Sequence, residues 1–503
     1  MKISGIGKKL YQYIADHPVP ATICFWGFRL YKRIRWKECR PAVGRPVPVW
    51  AGTKRPSPKD LKQLKVAMIC DDMTWENWKR ECDVVALTPH NWKKVLCRER
   101  PDVLFCESAW IGLQEHRGCW HGLIYRNHRI LFDNRKELFC ILDFCRKYGI
   151  PTVFWNKEDP AFFDSVRYDF KDTALKFDWI FTTAAECVPL YRKMGHKQTD
   201  VMMFGFSPYL FSPLNSLPKE RRVVFAGSWL AEDQNRCRDM VQLFDLMQEH
   251  QIPLTIYDRQ THNTKEGRKF PEKYRTCVRD CVPFTELGQK IKHAKYALNI
   301  NTVTDSDTMF ARRVFELAAS NVMPVSNASK GMQRIFPGTI RYLHEPFTEE
   351  YVEKDARRNL DEAYASHTNR IRFTEMFNRM GLLPKPDKVR IGVLDPKNLL
   401  HGQTVRGRWF EAKPILKGKE AGKEPFAYGI HLSGARLKTM DAVLSHFCYL
   451  PEKCGIRITG EPLYEILKDA GHEDVVYTWD LFMQVQKNPD QITAKYILGA
   501  YEE

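Results

Sequence analysis

Residues 296–327, YALNINTVTDSDTMFARRVFELAASNVMPVSN, contain the pattern that decides the fold. The first apolar run predicts a buried strand, a loop rich in Asn, Thr and Asp follows it, and the next apolar positions predict a helix. That helix begins with Arg312 and Arg313 and carries Glu316 one turn later, and a second apolar run then predicts another strand. A strand, a crossover helix and a second strand form the unit from which parallel sheets are built.

The same alternation of strands and helices occurs in two series along the chain. Strand candidates of the first series are KVAMIC, PDVLFCE, PTVFWN, FDWIFTT and DVMMFGF, and those of the second are RVVFAGS, PLTIYDR, CVPF, YALNIN, VMPVSN and TIRYL. A Pro-rich segment, FSPYLFSPLNSLPKERR, separates the two series. We therefore predict an α/β fold with two Rossmann-like, doubly wound domains, at residues 64–210 and 220–380, that face a cleft.

The chain begins with a basic and aromatic region. Residues 1–65 contain 15 Lys and Arg against only Asp16, Glu38 and Asp60, in a chain of formal net charge +17. We predict amphipathic helices and a Pro-rich linker across residues 1–63, and two interpretations of residues 1–40 stay open. Either they bind an anionic membrane surface, or they pack on the protein with their charges solvated. The longest apolar run, about ten residues, is too short to span a bilayer.

The remaining composition narrows the class of protein. The fifteen cysteines include no C-x-x-C pair, which argues against a disulfide framework or a structural zinc site and favours a cytoplasmic protein. If residues 1–40 bind a membrane, the protein is peripheral on its inner face. The basic charge is not accompanied by a nucleic-acid-binding motif, so we expect no nucleic acid partner. Residues 385–503, which follow LLPKPDKVR, are predicted to form an accessory α/β domain that binds an acceptor or docks.

Acidic residues stand at the ends of three predicted strands of the first series. Asp72 follows KVAMIC, Glu107 ends PDVLFCE and Glu158 follows PTVFWN. Taken singly, each carboxylate is explained as well by a loop or a helix N-cap. Because the carboxyl ends of parallel strands meet at one edge, we expect the three to converge on a rim where a general base belongs.

Basic residues mark the corresponding positions of the second series. A glycine at the first strand end allows the backbone to approach a diphosphate, and the N-terminus of the following helix favours negative charge. Neither a G-x-G-x-x-G fingerprint nor a Walker loop is present. We predict a site for an anionic nucleotide from the following residues: Gly227, Ser228, Arg236, Arg259, Arg312 and Arg313.

Several segments, in this order, resemble the CgeB-type (spore maturation) branch of the GT-B glycosyltransferases: FWNKEDPAFFD, FDWIFTTAAECVPLYRKMG, VVFAGSW, LTIYDR and ALNINTVTDSDTMFARRVFELAASNVMPVSN. The resemblance covers about residues 64–345 and is most specific from Arg313 to Asn327. It implies a GT-B-like fold whose first domain holds the acceptor and whose second domain holds a nucleotide-activated sugar. It also implies that Glu316 accepts hydrogen bonds from ribose hydroxyls and that Arg313 faces the diphosphate.

Two positions depart from the broader retaining GT-B pattern. The glutamate expected eight positions before Glu316 is Thr308, and the glycine expected five positions after it is Asn321. Retaining and inverting chemistry therefore both stay open. A separate alternative explains Arg313 and Glu316 as a surface pair one helical turn apart, worth a few tenths of a kcal/mol.

The sequence therefore predicts a glycosyltransferase that uses a nucleoside-diphosphate sugar and a cell-surface polysaccharide or lipid-linked glycan as acceptor. No metal site and no cofactor besides this donor are predicted, since positive side chains and helix dipoles can stabilise the leaving diphosphate. In an inverting reaction, Asp72, Glu107 or Glu158 would deprotonate the acceptor hydroxyl. Two alternatives are an inactive GT-B-fold module that binds a glycan or nucleotide in polysaccharide assembly, and an epimerase of the same architecture that acts on a free nucleotide sugar.

Overall fold

The computed structural model describes residues 57–487 except 131, 214–218, 416–425, 435–436, 438–439, 450–454, 459–463 and 467–473. For residues 455–458, 464–466 and 487 only the backbone is described. The predicted N-terminal helices, including residues 1–40, and most of the linker that follows them lie outside the described residues. The two interpretations of that region therefore stay predictions.

The first sheet is parallel and has the strand order β2-β1-β3-β4-β5-β6 within the described residues. Its strands are β1 (Lys65–Ile69), β2 (Asp83–Ala86), β3 (Val103–Glu107), β4 (Thr152–Asn156), β5 (Trp179–Thr182) and β6 (Thr199–Val201). Its helices are α1 (Asp72–Trp78), α2 (Trp92–Glu99), α3 (Lys136–Tyr148), α4 (Phe170–Ala174) and α5 (Cys187–Lys193). Strands β3 and β4 are buried along their whole length, which explains why their apolar residues are consecutive rather than alternating.

The second sheet is also parallel, with the order β12-β11-β10-β7-β8-β9. Its strands are β7 (Glu220–Gly227), β8 (Leu254–Asp258), β9 (Val278–Arg279), β10 (Ala294–Asn299), β11 (Met323–Ser326) and β12 (Arg341–Tyr342). The helices are α6 (Gln234–Glu249), α7 (Phe284–Ile291), α8 (Arg313–Ala319), α9 (Lys330–Ile335) and α10 (Val352–Ser366). The next helix, α11 (Asn369–Arg379), belongs from Phe373 onward with the first sheet. This strand order is that of a Rossmann fold, so the predicted pair of doubly wound domains is confirmed.

A third sheet is mixed and has the order β14-β15-β13-β16-β19-β17-β18. Its strands are β13 (Val389–Leu394), β14 (Val405–Arg406), β15 (Phe410–Ile415), β16 (Tyr428–His431), β17 (Gly455–Ile458), β18 (Tyr464–Ile466) and β19 (Val475–Thr478). Two helices accompany it, α12 (Met440–Phe447) and α13 (Trp479–Lys487). Strand β13 pairs in parallel with β15 and β16, and the remaining pairings are antiparallel. The predicted accessory α/β structure is therefore present.

One predicted strand is wrong. The segment CVPF at residues 281–284 lies after β9, and its last residue begins helix α7. Pro283 occupies the N-cap of this helix, where its missing N–H removes no hydrogen bond. No helix in the described part of the chain has the length and apolarity that a membrane crossing requires.

The chain forms two compact units that are not contiguous in sequence. Among the described residues, the first contains those up to Met203 together with Ser306–Met309 and Phe373–Pro384. The second contains those in Phe204–Asp305, in Phe310–Arg372 and from Lys385 onward, and therefore holds both the second and the third sheets. The domain boundaries predicted from the sequence stay predictions.

Candidate functional site

The order of the strands defines a crevice at the carboxyl edge of the second sheet. Strands β7 and β10 are neighbours, but the chain continues from β7 toward β8 on one side and from β10 toward β11 on the other. The two loops that follow these strands therefore leave in opposite directions, and ligands of open α/β sheets bind in the crevice that results. Gly227 ends β7 at this point, and Asn299 ends β10.

Arginine side chains gather around the end of β7. The Arg236 guanidinium donates to the carbonyl of Ser228 at 2.9 Å, and a nitrogen of Arg313 lies 3.5 Å from the carbonyl of Ala226. The backbone N–H of Arg259 donates to the carbonyl of Gly227 at 2.9 Å. The structure thus brings together the residues that the sequence predicts for the nucleotide: Gly227, Ser228, Arg236, Arg259, Arg313 and Glu316.

The arginines also affect one another electrostatically. Burial lowers the pKa of Arg236, and the charge of Arg259 lowers it further. Burial lowers the pKa of Arg313 as well; Glu316 opposes this effect, while Arg312 and Arg259 add to it. Four guanidinium groups and one carboxylate therefore share a small region with a surplus of positive charge. An anion bound there would relieve this repulsion.

Glu316 is buried between two of these arginines. It is 1% exposed, and one of its carboxyl oxygens accepts a hydrogen bond from Nε of Arg312 at 2.9 Å. Its other oxygen lies 3.1 Å from Nη1 of Arg313, and that nitrogen is buried without a hydrogen-bond partner. The alternative of a solvated surface pair is therefore wrong. The role of Glu316 toward ribose hydroxyls stays a prediction, since in this structure its oxygens face arginines.

A network of buried amides supports the loop before α8, and sequence reasoning did not identify it. The side-chain oxygen of Asn301 accepts from the backbone N–H of Ala311 at 2.9 Å, so it fixes the residue just before Arg312. The side-chain nitrogen of Asn301 donates to the carbonyl of Asn327 at 3.1 Å, and Asn327 donates to Asp239 of α6 at 2.8 Å. The available signal was that an asparagine stands just beyond each strand, Asn301 two residues after β10 and Asn327 directly after β11.

The structure also places the two departures from the retaining GT-B pattern. Asn321 has φ = 54°, a left-handed conformation that glycine adopts readily and that asparagine tolerates better than most residues. An asparagine at this position is therefore compatible with the backbone. Thr308 belongs to the first compact unit, where its hydroxyl donates to the carbonyl of Thr183 and accepts from the N–H of Ala185, both at 2.8 Å.

The first sheet has its own crevice where β1 and β3 are neighbours. Asp71 follows β1, and its carboxylate accepts the backbone N–H groups of Trp110, Ile111 and Gly112 at 2.7–3.0 Å. Lys157 lies 3.0 Å from Glu107 and 3.3 Å from Asp71. Burial alone would lower the pKa of Lys157, but the charges of Glu107 and Asp71 raise it above its ordinary value.

Glu107 is a poor candidate for the general base. Its side chain is 0% exposed, and its carboxylate is held by the backbone N–H of Asp71 at 2.6 Å, by the hydroxyl of Thr74 and by Lys157. A carboxylate without exposed surface cannot contact an acceptor hydroxyl in this structure. We therefore correct its predicted role: Glu107 holds the ends of β1 and β3 together.

Asp72 and Glu158 are both partly exposed, as is Asp71, whose carboxylate is already held by three backbone N–H groups. Asp72 begins α1 and accepts the N–H of Gln114 at 3.0 Å, and burial raises its pKa. Glu158 follows β4, and one of its oxygens accepts the indole N–H of Trp110 at 2.9 Å. Its other oxygen has no hydrogen-bond partner in the described part of the chain. Burial raises the pKa of Glu158, which moves it toward the range that suits a general base.

The indole of Trp110 is itself held in place by aromatic rings. Ring centroids of Phe162, Tyr168 and Phe170 lie 5.0–5.4 Å from that of Trp110, and all three contacts are edge-to-face. We predict that Trp110→Phe raises the pKa of Glu158, because it keeps the packing but removes a donor that stabilises the carboxylate. Carbon-13 NMR titration of labelled glutamate carboxyl groups measures this pKa, with Glu158→Gln to assign the signal.

Trp92→Phe is the matched control, since its indole is 3.4 Å from a different carboxylate, that of Glu137. The control should leave the Glu158 titration unchanged. An unshifted Glu158 titration in Trp110→Phe would show that the indole N–H does not affect this carboxylate.

Comparisons with known proteins give similarities only among solved structures. No protein-family model matches the chain, and no relative is found among the curated proteins. An α-glucosyltransferase in complex with UDP-glucose and DNA is 10% identical, with 63% of this chain and 100% of that chain covered and a TM-score of 0.42. HepE from Anabaena, in complex with UDP-glucose, is 11% identical, with 63% and 99% covered and a TM-score of 0.41.

A UDP-GlcNAc 2-epimerase from Neisseria meningitidis, bound to UDP-GlcNAc, is 10% identical, with 63% of this chain and 100% of that chain covered and a TM-score of 0.37. Because these TM-scores are all below 0.5, we draw no functional conclusion from them. The function is instead argued from the residues of the two crevices.

Proposed function

We propose that the protein is a glycosyltransferase that takes a sugar from a nucleoside-diphosphate sugar. The observation that carries this proposal is the group of four arginines around Glu316 at the carboxyl edge of the second doubly wound sheet. Nη1 of Arg313 in particular is buried and makes no hydrogen bond, although it lies 3.1 Å from Glu316. A diphosphate offers the several acceptor oxygens and the negative charge that such a group lacks.

The arginines would act on the group that leaves. As the acceptor oxygen bonds to the anomeric carbon, the bond from that carbon to the diphosphate breaks and negative charge grows on the departing phosphate. Donors fixed in advance around that charge stabilise the transition state more than the bound sugar nucleotide. Arg313 and Arg236 are fixed in this way by ion pairing and by a hydrogen bond to Ser228. In this proposal the reaction needs no metal and no further cofactor.

The proposed proton acceptor is Asp72 or Glu158. Both have a pKa raised by burial, and a carboxylate of raised pKa takes a proton from a hydroxyl more readily than one of ordinary pKa. This assignment applies to an inverting reaction. In a retaining reaction the two carboxylates would bind acceptor hydroxyl groups instead.

The finer parts of the proposal concern family, acceptor and location. We propose a CgeB-type enzyme that extends a cell-surface polysaccharide or a lipid-linked glycan in the cytoplasm. Residues 1–40 would hold it on the inner membrane face. A non-enzymatic module that binds nucleotide or glycan is the second candidate, because Thr308 is occupied by contacts to Thr183 and Ala185 where a retaining enzyme has a glutamate.

A thermal-shift screen tests the donor site. UDP, GDP, CMP, dTDP and their sugars are added to the wild type, to Glu316→Gln and to the control Glu266→Gln, whose side chain is 91% exposed. One nucleotide should stabilise the wild type and the control by about 2.7 kcal/mol at a hundredfold excess over its dissociation constant. Glu316→Gln should lose most of this shift, measured against its own nucleotide-free protein.

The outcomes of the screen separate the candidate functions. No shift with any nucleotide contradicts the donor site itself. If a nucleotide sugar stabilises the protein but no free nucleotide is released even after acceptor glycans are supplied, the binding module is favoured. Release that does not depend on an acceptor favours an epimerase, whereas release that requires an acceptor supports the transferase.

A further inference from the structure

The third sheet contains a cavity of about 560 Å³. Its volume lies within the range of small-molecule sites in proteins. Most of its lining is apolar, and two charged side chains complete it. The lining residues that matter for its chemistry are Leu399, Leu400, Phe410, Leu432, Arg406 and Asp441.

The cavity begins where the topology of the third sheet predicts a ligand site. Strand β13 lies between β15 and β16 and is parallel to both, so the chain leaves β13 toward one side and β16 toward the other. Loops that diverge from neighbouring parallel strands open a crevice at their carboxyl ends. Leu399 and Leu400 come from the loop after β13, and Leu432 comes directly after β16.

Carboxylates fix the loops around the cavity. Asp395 accepts the N–H groups of Leu399 and Leu400 at 2.8 and 2.7 Å. Asp474 accepts the N–H groups of Ser433 and Gly434, at 2.7 and 3.2 Å. Asp441 of α12 accepts the N–H groups of Arg408 and Trp409, at 3.1 and 2.9 Å. Because each loop is held by side chains rather than by packing alone, the cavity is a built feature of the domain.

The register of the sheet shows that the cavity is elongated. Phe410, which lines it, pairs with Val389 at the start of β13, whereas Leu432 and Leu400 follow the ends of β16 and β13. Six residues of strand separate these ends, about 17 Å at 3.3 Å per residue. Leu432 is 1% exposed and Phe410 is 2% exposed, while Leu399 is 41% exposed and marks the opening. A largely apolar space of this length has room for an alkyl chain.

Arg406 supplies the polar end of the site. Its Nε donates to Glu411 at 2.8 Å, its side chain is 63% exposed, and its two terminal nitrogens make no hydrogen bond within the described residues. Both oxygens of Asp441 are already engaged by backbone N–H groups. The available charged donor is therefore a guanidinium, whose partner is a carboxylate or a phosphate.

We propose that this cavity binds a single-chain anionic amphiphile, with its alkyl chain among the leucines and its head group at Arg406. The site is separate from the arginines around Glu316, and the proposal does not rest on sugar transfer. A fatty carboxylate and an alkyl phosphate share this chemistry, and the test distinguishes them.

Isothermal titration calorimetry of the full chain tests the proposal, with each probe below its micelle-forming concentration. The probes are dodecyl phosphate, dodecanoate, dodecanol and inorganic phosphate. Dodecyl phosphate or dodecanoate should bind with one saturable site, and decyl phosphate or decanoate should bind roughly 15-fold more weakly because two methylenes are lost. The tighter of the two head groups identifies the source of the ligand. Saturable binding of inorganic phosphate at the same site overturns the role of the alkyl chain.

Two variants and a control locate the binding. Leu400→Trp fills the cavity from a half-buried position and should weaken dodecyl phosphate at least tenfold, while Arg406→Gln should weaken the anionic probes about tenfold and leave dodecanol unchanged. Lys413→Gln removes an exposed cation of β15 that does not line the cavity, and its affinities should equal those of the wild type. Equal binding in Leu400→Trp, in a protein with an unchanged thermal midpoint, overturns the site.

The same variants keep this proposal distinct from the proposed function. Leu400→Trp should retain the nucleotide shift of the wild type, because no lining residue belongs to the arginine group. A protein that binds the amphiphile but no nucleotide would support this inference and contradict the transferase. A protein that binds nucleotide but no amphiphile would contradict this inference and support the transferase.

Discussion

Arg313→Gln should weaken the binding of a nucleoside diphosphate by roughly 10- to 150-fold, which corresponds to the 1.5–3 kcal/mol of a hydrogen bond to a charged group. The residue has the features of an anion ligand rather than of a structural arginine. Its buried Nη1 atom lies 3.1 Å from Glu316 but makes no hydrogen bond, and its other terminal nitrogen has only a long contact of 3.5 Å with the carbonyl of Ala226. A bound diphosphate would therefore provide hydrogen bonds that the nucleotide-free protein does not make.

The folded state should tolerate this substitution. Glu316 keeps its hydrogen bond to Arg312, so the buried carboxylate is not left without a cation. The side-chain amide of glutamine also retains two N–H donors, although the side chain is shorter than that of arginine. Calorimetric titration at two salt concentrations measures the effect, and the difference between variant and wild type should shrink as salt rises, because salt screens the lost charge.

Arg238→Gln is the matched control for Arg313→Gln. Arg238 belongs to the same domain, on α6, but its side chain is exposed and donates to Asn235 at 3.1 Å. The control should bind the nucleotide within twofold of the wild type. If both variants lose affinity equally, the effect comes from net charge, and Arg313 has no specific role.

Gly288→Ala should lower the thermal midpoint of unfolding by about 6–12 °C, which corresponds to about 3 kcal/mol of destabilisation. Gly288 lies in α7, and a β-carbon at this position would collide with the carbonyl oxygen of Leu210. Backbone has to move to relieve this collision, because the atom involved is not the end of a flexible side chain. Alanine is favoured over glycine in a helix by about 1 kcal/mol, which is too little to compensate.

The control for Gly288→Ala is Gly267→Ala. A β-carbon at residue 267 would lie 3.5 Å from that of Ala231, an ordinary van der Waals contact. Its midpoint should stay within about 2 °C of the wild type. Circular dichroism and scanning calorimetry measure both variants. Equal midpoints for the two would mean that α7 is not packed against Leu210 as the structure shows.

Apolar runs made most of the two parallel sheets predictable from the sequence. Strands β3, β4 and β11 are buried on both faces, so their apolar residues are consecutive rather than alternating and stand out in the chain. Strand β15, FEAKPI, was not predicted. It contains Glu411, Lys413 and Pro414, and its burial alternates only in part, so its pattern is not that of a typical strand.

The candidate site was predictable in its residue types but not in its pairings. The alternative that Glu316 forms a surface ion pair is wrong because α8 is buried along Val314–Ala319. Helical spacing alone could not show which face of this helix is solvated. Glu107 ends β3 and Glu158 follows β4 by two residues, and of the two only Glu107 is paired with Lys157. Which carboxylate a long lysine side chain contacts depends on the packing of β1, β3 and β4, and no local pattern encodes it.

The way the chain is divided between the two compact units restricts how this protein can be cut or exchanged. The ring of Trp78 stacks on that of Phe373 at 3.5 Å, although almost three hundred residues separate them, and Ser306–Met309 joins the same unit from between β10 and α8. A fragment that ends at Met203 would lack both segments and would leave Trp78 uncovered. Gene fusion or recombination that transfers one contiguous half of this gene would therefore transfer an incomplete fold, so both halves have to be inherited together.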